Sequence, residues 1–181
     1  MDLLNSNLSN VLETMQRVVK DRENGLRASD SIIAIDDRTC PLSPKYPLMM
    51  RLDGSDFASV EHFLQYCKAV SARDETAARK IRATLNVADA LRIPIYRFNV
   101  HDWRRYENQA MQTGSVAKFR EHPRALELLK STHTKTLVYA APSDTYFGCG
   151  LRIDDDNVFF KQFWRGANRL GVILDSLRKA R

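Results

Sequence analysis

Three stretches of this 181-residue chain place side chains together that can do chemistry. In Ser59-Val60-Glu61-His62-Phe63-Leu64-Gln65-Tyr66-Cys67-Lys68, the residues Glu61, Gln65 and Lys68 are spaced i, i+4, i+7. On a helix that spacing sets a carboxylate, an amide and an amine on one face. Ser59 is a good N-cap, and the helix dipole favours a carboxylate at Glu61. His62 adds an imidazole, a group that serves more often in packing than as a ligand. The second stretch, Pro142-Ser143-Asp144-Thr145-Tyr146-Phe147-Gly148-Cys149-Gly150, sets a carboxylate before two rings and two glycines, as in a pocket wall lined by aromatics. The third, Trp164-Arg165-Gly166-Ala167-Asn168-Arg169-Leu170-Gly171, opens a helix. Backbone N–H groups at a helix start favour anions. The guanidinium groups of Arg165 and Arg169 suit phosphate.

The elements that must hold these stretches follow from periodicity and turn chemistry. Leu4, Leu8, Val11, Leu12, Met15, Val18 and Val19 have helical spacing, so a helix is expected over Leu3–Lys20, stopped by Asn24-Gly25. Ser31–Ile35 is a short β-prone run. Pro41, Pro44 and Pro47 exclude helix from the next segment. Leu48–Leu52 reads as a strand entering an Asp53-Gly54 turn. Helices are expected from Ser59, over Asp74–Leu85, over Val87–Leu91, and as one long element from Asp102 through Trp103 and Met111 to Phe119. Pro123 suits a first helical position before Arg124–Lys130. Thr136–Ala140 reads as a strand and Ala141–Gly150 as a turn-rich loop. Leu151–Ile153 and Val158–Phe160 flank Asp154-Asp155-Asp156-Asn157 as a hairpin would. A last helix is expected from about Asn168 to Arg178. The Asp-rich tip lacks the glycine and distal glutamate of a calcium loop, so no metal site is assigned.

Composition narrows the class. Hydrophobic residues at 44% and charged residues at 28% are those of a globular chain rather than a disordered or fibrous one. Lys and Arg number 28 against 22 Asp and Glu, a net charge of +6 that suits a phosphate-bearing partner. The three cysteines, Cys40, Cys67 and Cys149, contain no CxxC pair, which argues against a disulfide framework or a Cys-rich zinc site. No apolar run approaches a membrane span. Met-Asp-Leu-Leu-Asn does not open as a secretory signal does. A cytoplasmic protein is expected, with the nucleus as the other compartment.

Taken in order, these segments resemble the NADAR (YbiA-like) family. The family's Thr/Ser-Val-Glu-His-Tyr/Phe-x-Gln-x-x-Lys helix start stands here as Ser59 through Lys68. Its central-helix Trp and Met are matched by Trp103 and Met111, and its Lys-Phe by Lys118-Phe119. Its Asp-x-x-Trp-Gly-x-Gly stands as Asp144 to Gly150, with Phe147 in place of Trp. Its Gly-x-Asn-x-Leu-Gly is matched by Gly166, Asn168, Leu170 and Gly171, with Arg178 downstream. The chain departs from the family at Pro44, where an Asn is usual, and at Tyr139, where Glu is common.

The resemblance implies an α+β fold. It would be a single helix-rich domain over residues 31–181 with a small β-sheet, preceded by an N-terminal helical extension over 1–30 whose protein partner is unknown. It implies a hydrolase, an N-glycosidase cutting a ribose–nitrogen bond without a cofactor. The leading substrate is ADP-ribose on guanine bases of DNA or RNA, making the reaction a reversal of ADP-ribosylation. The alternative substrates are phosphoribosyl intermediates of riboflavin biosynthesis. Cleavage builds positive charge on C1′ and negative charge on the leaving base. Glu61 and Asp144 are the candidate carboxylates. Lys68 would protonate the base, contact phosphate, or attack an opened ribose as an amine. His62, Gln65, Trp103, Tyr146, Phe147, Gly148, Gly150, Arg165 and Asn168 are the candidate binding residues. A non-catalytic module that binds ADP-ribose or a nucleotide is the reading from another class. A plain nucleic-acid-binding protein ranks below it, because the basic residues are dispersed and form no aromatic–basic repeat.

Overall fold

The computed structural model describes residues 19–180, and its fold is α+β. The described residues form two compact units: residues 19–43 with 129–180, and Pro44–Leu128.

The first unit is built on a four-stranded sheet of order β1 (Val19–Asp21), β2 (Leu26–Ala28), β3 (Ile32–Asp36), β6 (Thr136–Ala140). The β1/β2 and β2/β3 pairs are antiparallel, and β3/β6 is parallel, with Ala34 opposite Val138. A parallel pair needs a long crossover, and the whole second unit lies in that connection. Ala34, Val138 and Ala140 pack with Cys149, Leu151, Val158 and Phe159 into one core. The helix α7 (Arg169–Lys179) lies against β6.

Most of the helix expected over Leu3–Lys20 falls outside the described residues. Its last two positions, Val19 and Lys20, belong to β1. Asn24-Gly25 is therefore the tip of a hairpin. Asp21 accepts the Asn24 N–H, and Gly25 takes a φ of 60°. The hairpin expected around Asp154–Asn157 is also replaced. The 3₁₀ turns Asp156–Phe159 and Lys161–Phe163 stand there. The Asp155 carboxylate accepts the Asn157 N–H, while Arg152 and Arg27 hold Asp154 and Asp156. Side chain–backbone bonds of this kind compete with a strand ladder for the same N–H groups.

The second unit opens with the hairpin β4 (Met50–Leu52) and β5 (Ser55–Phe57), turned at Asp53-Gly54 with φ of 49° and 75°. Two positive φ values make the tight turn that matches strand twist. The helices follow: α1 (Val60–Ser71), α2 (Glu75–Ala83), α3 (Val87–Arg92), α4 (Val100–Trp103), α5 (Glu107–Glu121) and α6 (Pro123–Ser131). The last of these carries the chain back to the first unit. Side-chain oxygens of Ser59, Asp74 and Asn86 cap α1, α2 and α3. Ala69, Ala77, Ala78, Ile81 and Ala90 form the core between those three helices.

The single long helix expected from Asp102 is two. The N–H groups of Arg105 and Tyr106 turn back to Asp102 and Trp103, a tighter three-residue closure, before α5 begins. The break lets Trp103 point inward while Arg104, Arg105 and Tyr106 stay exposed.

Candidate functional site

In the second unit, α1 carries the first constellation. Ser59 accepts the His62 N–H, and the Glu61 N–H donates to Pro44. Pro44 thus contributes a carbonyl at this helix start, a role open to any residue type. Glu61 is half-buried, Gln65 buried and Lys68 half-buried, in the order their spacing implies. The Lys68 ammonium lies 6.0 Å from the centre of the Trp103 ring, and Trp103 is 4% exposed. A cation over an indole face is attracted by the ring quadrupole. His62 is fully buried, with Nδ1 accepting the Ala58 N–H and Nε2 donating to the Ile81 carbonyl at 2.8 Å. Both nitrogens are spent fastening α1 to α2 and to the residue that follows β5.

A cleft of about 900 Å³ opens in this unit, lined among others by Phe63, Tyr66, Cys67, Trp103 and Tyr106. Burial pushes the Cys67 thiol up to about 12, so at neutral pH it is protonated and unreactive. Sequence reasoning passed over Lys118 as a chemical group. It is 1% exposed on α5, with its ammonium 4.8 Å from the Phe119 ring centre. A buried cation is compensated by its surroundings. The signal present was the polar residue among apolar positions on α5.

In the first unit, Asp144 closes a turn. Its Oδ1 accepts the N–H groups of Tyr146 and Phe147 at 2.9 and 2.8 Å. The Tyr146 and Phe147 rings meet edge to face, and the Arg169 guanidinium sits 5.8 Å from the Tyr146 ring centre. Phe147, Gly148 and Gly150 are buried, while Arg165 is exposed. Asn168 takes a left-handed φ of 50° and is buried. Its Oδ1 accepts the Tyr139 N–H and its Nδ2 donates to the Leu137 carbonyl, both at 2.9 Å. The amide thereby pairs with β6 as a strand residue would.

The expected use of the amides opening α7 for an anion is corrected here. The N–H groups of Ala167, Asn168, Arg169 and Leu170 donate to the carbonyls of Thr145, Gly148, Tyr146 and Phe147. The loop covers that helix start with its own backbone. The glycines allow the fit: a Cβ on Gly166 would stand 2.3 Å from the Gly148 carbonyl oxygen, and one on Gly171 2.2 Å from that of Leu137. Any phosphate contact in this segment falls to side chains, of which the arginines Arg165 and Arg169 are both exposed.

Among the described residues no group of three or more His, Cys, Asp or Glu side chains is placed to hold a metal, and no helix is long and apolar enough to cross a membrane.

Comparison with known proteins places this geometry in context. Residues 30–180 match the family model of the NADAR domain. The chain is 27% identical over 127 residues to the protein irg-1 of Caenorhabditis elegans; the match covers 68% of this chain and 60% of that relative's length. It is 29% identical over 133 residues to an N-glycosidase of Acanthamoeba polyphaga mimivirus, covering 71% of this chain and 78% of the other. It is 30% identical over 135 residues to an N-glycosidase of Nostoc punctiforme, covering 74% and 80%. The solved structure of the E. coli protein YbiA superposes with a TM-score of 0.67 at 26% identity, over 84% of this chain and 85% of that one.

Proposed function

The chain belongs to the NADAR domain family, and from that premise we propose that it is an N-glycosidase that hydrolyses a ribose–nitrogen bond. Its substrate is ADP-ribose carried on guanine bases of nucleic acid. Two relatives bear the name N-glycosidase. The observation that carries the reading is the polar side of α1, where Glu61, Gln65 and Lys68 follow one another and the Lys68 ammonium sits over Trp103.

Loss of the base leaves positive charge on C1′, which the Glu61 carboxylate stabilises. Lys68 holds a proton next to an indole face and delivers it to the leaving nitrogen. Water then adds at C1′ and gives up its proton to solvent or to the carboxylate. The Trp103 ring under the ammonium holds it by its quadrupole, at 6.0 Å from the ring centre. In the first unit the Asp144 Oδ2 lies outside the turn its Oδ1 closes, and Asp144→Asn tests its part separately. Arg165 offers an exposed guanidinium for phosphate.

The test is incubation of the purified chain with a guanine-ADP-ribosylated oligonucleotide and, in a second tube, a ribosylamino-pyrimidinone phosphate, with products followed by mass spectrometry. Free ADP-ribose from the oligonucleotide supports the reading. Glu61→Gln is expected to lower kcat by ~10²–10⁴ while ADP-ribose still binds. Cleavage of the small phosphate alone replaces the substrate with a phosphoribosyl metabolite. Binding of ADP-ribose without turnover of either replaces the enzyme with a binding module. Borohydride present during turnover separates the two roles of Lys68, since only an amine bonded to an opened ribose is trapped.

A further inference from the structure

We propose that the second unit carries a groove for single-stranded nucleic acid along the Phe63–Val70 side of α1, which meets the Lys68 side at Trp103. The 900 Å³ cleft is continuous with a neighbouring one of about 590 Å³, the two sharing Tyr66, Val70 and Arg73. Four arginines line the pair: Arg73, Arg79, Arg82 and Arg97. Among the described residues none of the four makes an ion pair, whereas Arg27, Arg51, Arg92, Arg120, Arg152 and Arg178 each hold a carboxylate. Unpaired guanidinium groups along a groove suit phosphate.

The groove also offers rings. Tyr66 and Tyr106 line it, half-buried and 54% exposed, and the buried Trp103 backs the wall behind them. Bases of a single strand stack on such surfaces, and arginine planes extend them. Rings and arginines are also neighbours, without forming a repeat, in the two short segments that reach the lining at Arg97, Trp103 and Tyr106: Tyr96-Arg97-Phe98 and Trp103-Arg104-Arg105-Tyr106, with Tyr96 and Phe98 exposed beside it in sequence.

Backbone strain points to the same place. Among the described residues five non-glycine residues have positive φ, and three line this cleft: Asp53 in the β4–β5 turn, Arg73 where α1 ends, and Arg97, at 61°, in the loop between α3 and α4. Turn and helix end account for the first two; at Arg97 the left-handed backbone costs about 1 kcal/mol, and strain of this kind gathers where a side chain must be aimed.

Four carboxylates share the walls: Asp53, Asp74, Glu75 and Asp102. Asp74 is occupied, its two oxygens accepting the Ala77 and Tyr96 N–H groups. The other three suit the amino hydrogens of bases, which carboxylates accept. A wall of guanidinium, ring and carboxylate thus matches phosphate, base face and base edge in turn.

The experiment is fluorescence anisotropy of the full chain with an undecorated, mixed-sequence 12-mer, as DNA, as RNA, and as a DNA duplex. It reads binding alone, so failure of the glycosidase reading leaves it intact. The single strands are expected to bind with Kd on the order of 1–100 μM at low salt. The expected log–log salt slope is about 2 to 3, each neutralised phosphate adding ~0.7. Arg73→Glu with Arg97→Glu is expected to weaken binding more than about tenfold and to flatten that slope. Tyr106→Ala is expected to weaken it about tenfold at unchanged slope. The control is Arg38→Glu with Arg124→Glu, the same charge change at exposed positions outside the groove; it should shift Kd less than about threefold. The DNA and RNA arms identify which strand is preferred. No single-strand binding, equal binding of the duplex, or equal loss in the control pair overturns the proposal.

Discussion

A thiol beside a cleft invites a nucleophilic role, and at Cys67 the environment removes it. Burial raises its pKa to about 12, against an ordinary cysteine near 9.0. The thiolate fraction at pH 8 falls by roughly a thousandfold, in proportion to that shift. Iodoacetamide labelling at pH 8, followed by peptide mass mapping, is therefore expected to modify Cys67 at least about a hundredfold more slowly than a free cysteine peptide. Labelling at the free-peptide rate would restore Cys67 as a candidate nucleophile. The residue scale also shows where a one-dimensional reading stops. Glu61, Gln65 and Lys68 announce themselves by spacing alone. His62 and Asn168 do not reveal their partners, because Ile81 lies 19 residues from the first, and Leu137 and Tyr139 lie 31 and 29 from the second. A polar side chain in the sequence promises a hydrogen bond without saying whether ligand or backbone receives it. Arg73 and Arg97 escaped notice for a related reason: their distinguishing property is a backbone angle, and arginine has no special preference for it.

At the scale of elements, the joint between α7 and β6 is the most exacting. Gly171→Ala would drive a Cβ to 2.2 Å from the Leu137 carbonyl oxygen, so backbone must move. The cost is about 1–3 kcal/mol or more, a fall in melting temperature of about 2–12 °C or more for a chain of this size. Gly54→Ala supplies the contrast. Its Cβ meets nothing within 4 Å, and only the φ of 75° opposes it, so about 1 kcal/mol and about 2–4 °C are expected. Asn168→Ala strips partners from the Tyr139 N–H and Leu137 carbonyl and should cost about 2 kcal/mol. A thermal melt ranks all three; an order with Gly54→Ala most damaging would contradict the close contact at Gly171. The strand Thr136–Ala140 and the capped helix from Ser59 were legible because a run of four apolar residues after a β-branched threonine and one serine cap state their structure locally. The tip at Asp154–Asn157 was not. Strand and 3₁₀ turn compete there for the same N–H groups, and the Arg27 partner that helps decide comes from far along the chain. The break before α5 escaped for want of a capping residue, since Tyr106 makes no side-chain cap.

Across the whole molecule the net charge of +6 would favour loss of structure in acid, and the ion pairs fix where that loss sets in. The Lys179 ammonium and then Arg178 hold the Asp175 carboxyl below its ordinary pKa. The Ala77 and Tyr96 N–H groups do the same for Asp74, the Arg51 N–H for Glu121, and the Arg152 side chain for Asp154. A carboxylate whose folded pKa is depressed binds protons more weakly than in the unfolded chain. Its contribution is complete above the unfolded value, near pH 4, and is lost as pH falls from there through the folded value. The melting temperature is therefore expected to hold level from about pH 5 to 8 and to drop below about pH 4. Of the four, Asp175 has the most to lose, because Arg178 is only 5% exposed and would keep its charge with one partner fewer. Asp175→Asn should lower the melting temperature at pH 7 by about 2–4 °C, as a pair worth about 1 kcal/mol would. The gap between variant and parent should close as pH falls through the depressed folded pKa of Asp175, where the parent's carboxylate also becomes neutral. Moderate salt should narrow the gap at pH 7 through the exposed Lys179 arm and leave the buried Arg178 arm largely in place. Differential scanning fluorimetry across pH, at low salt and at 0.5 M, separates these outcomes. A gap constant at every pH would mean that Asp175 acts through shape rather than charge.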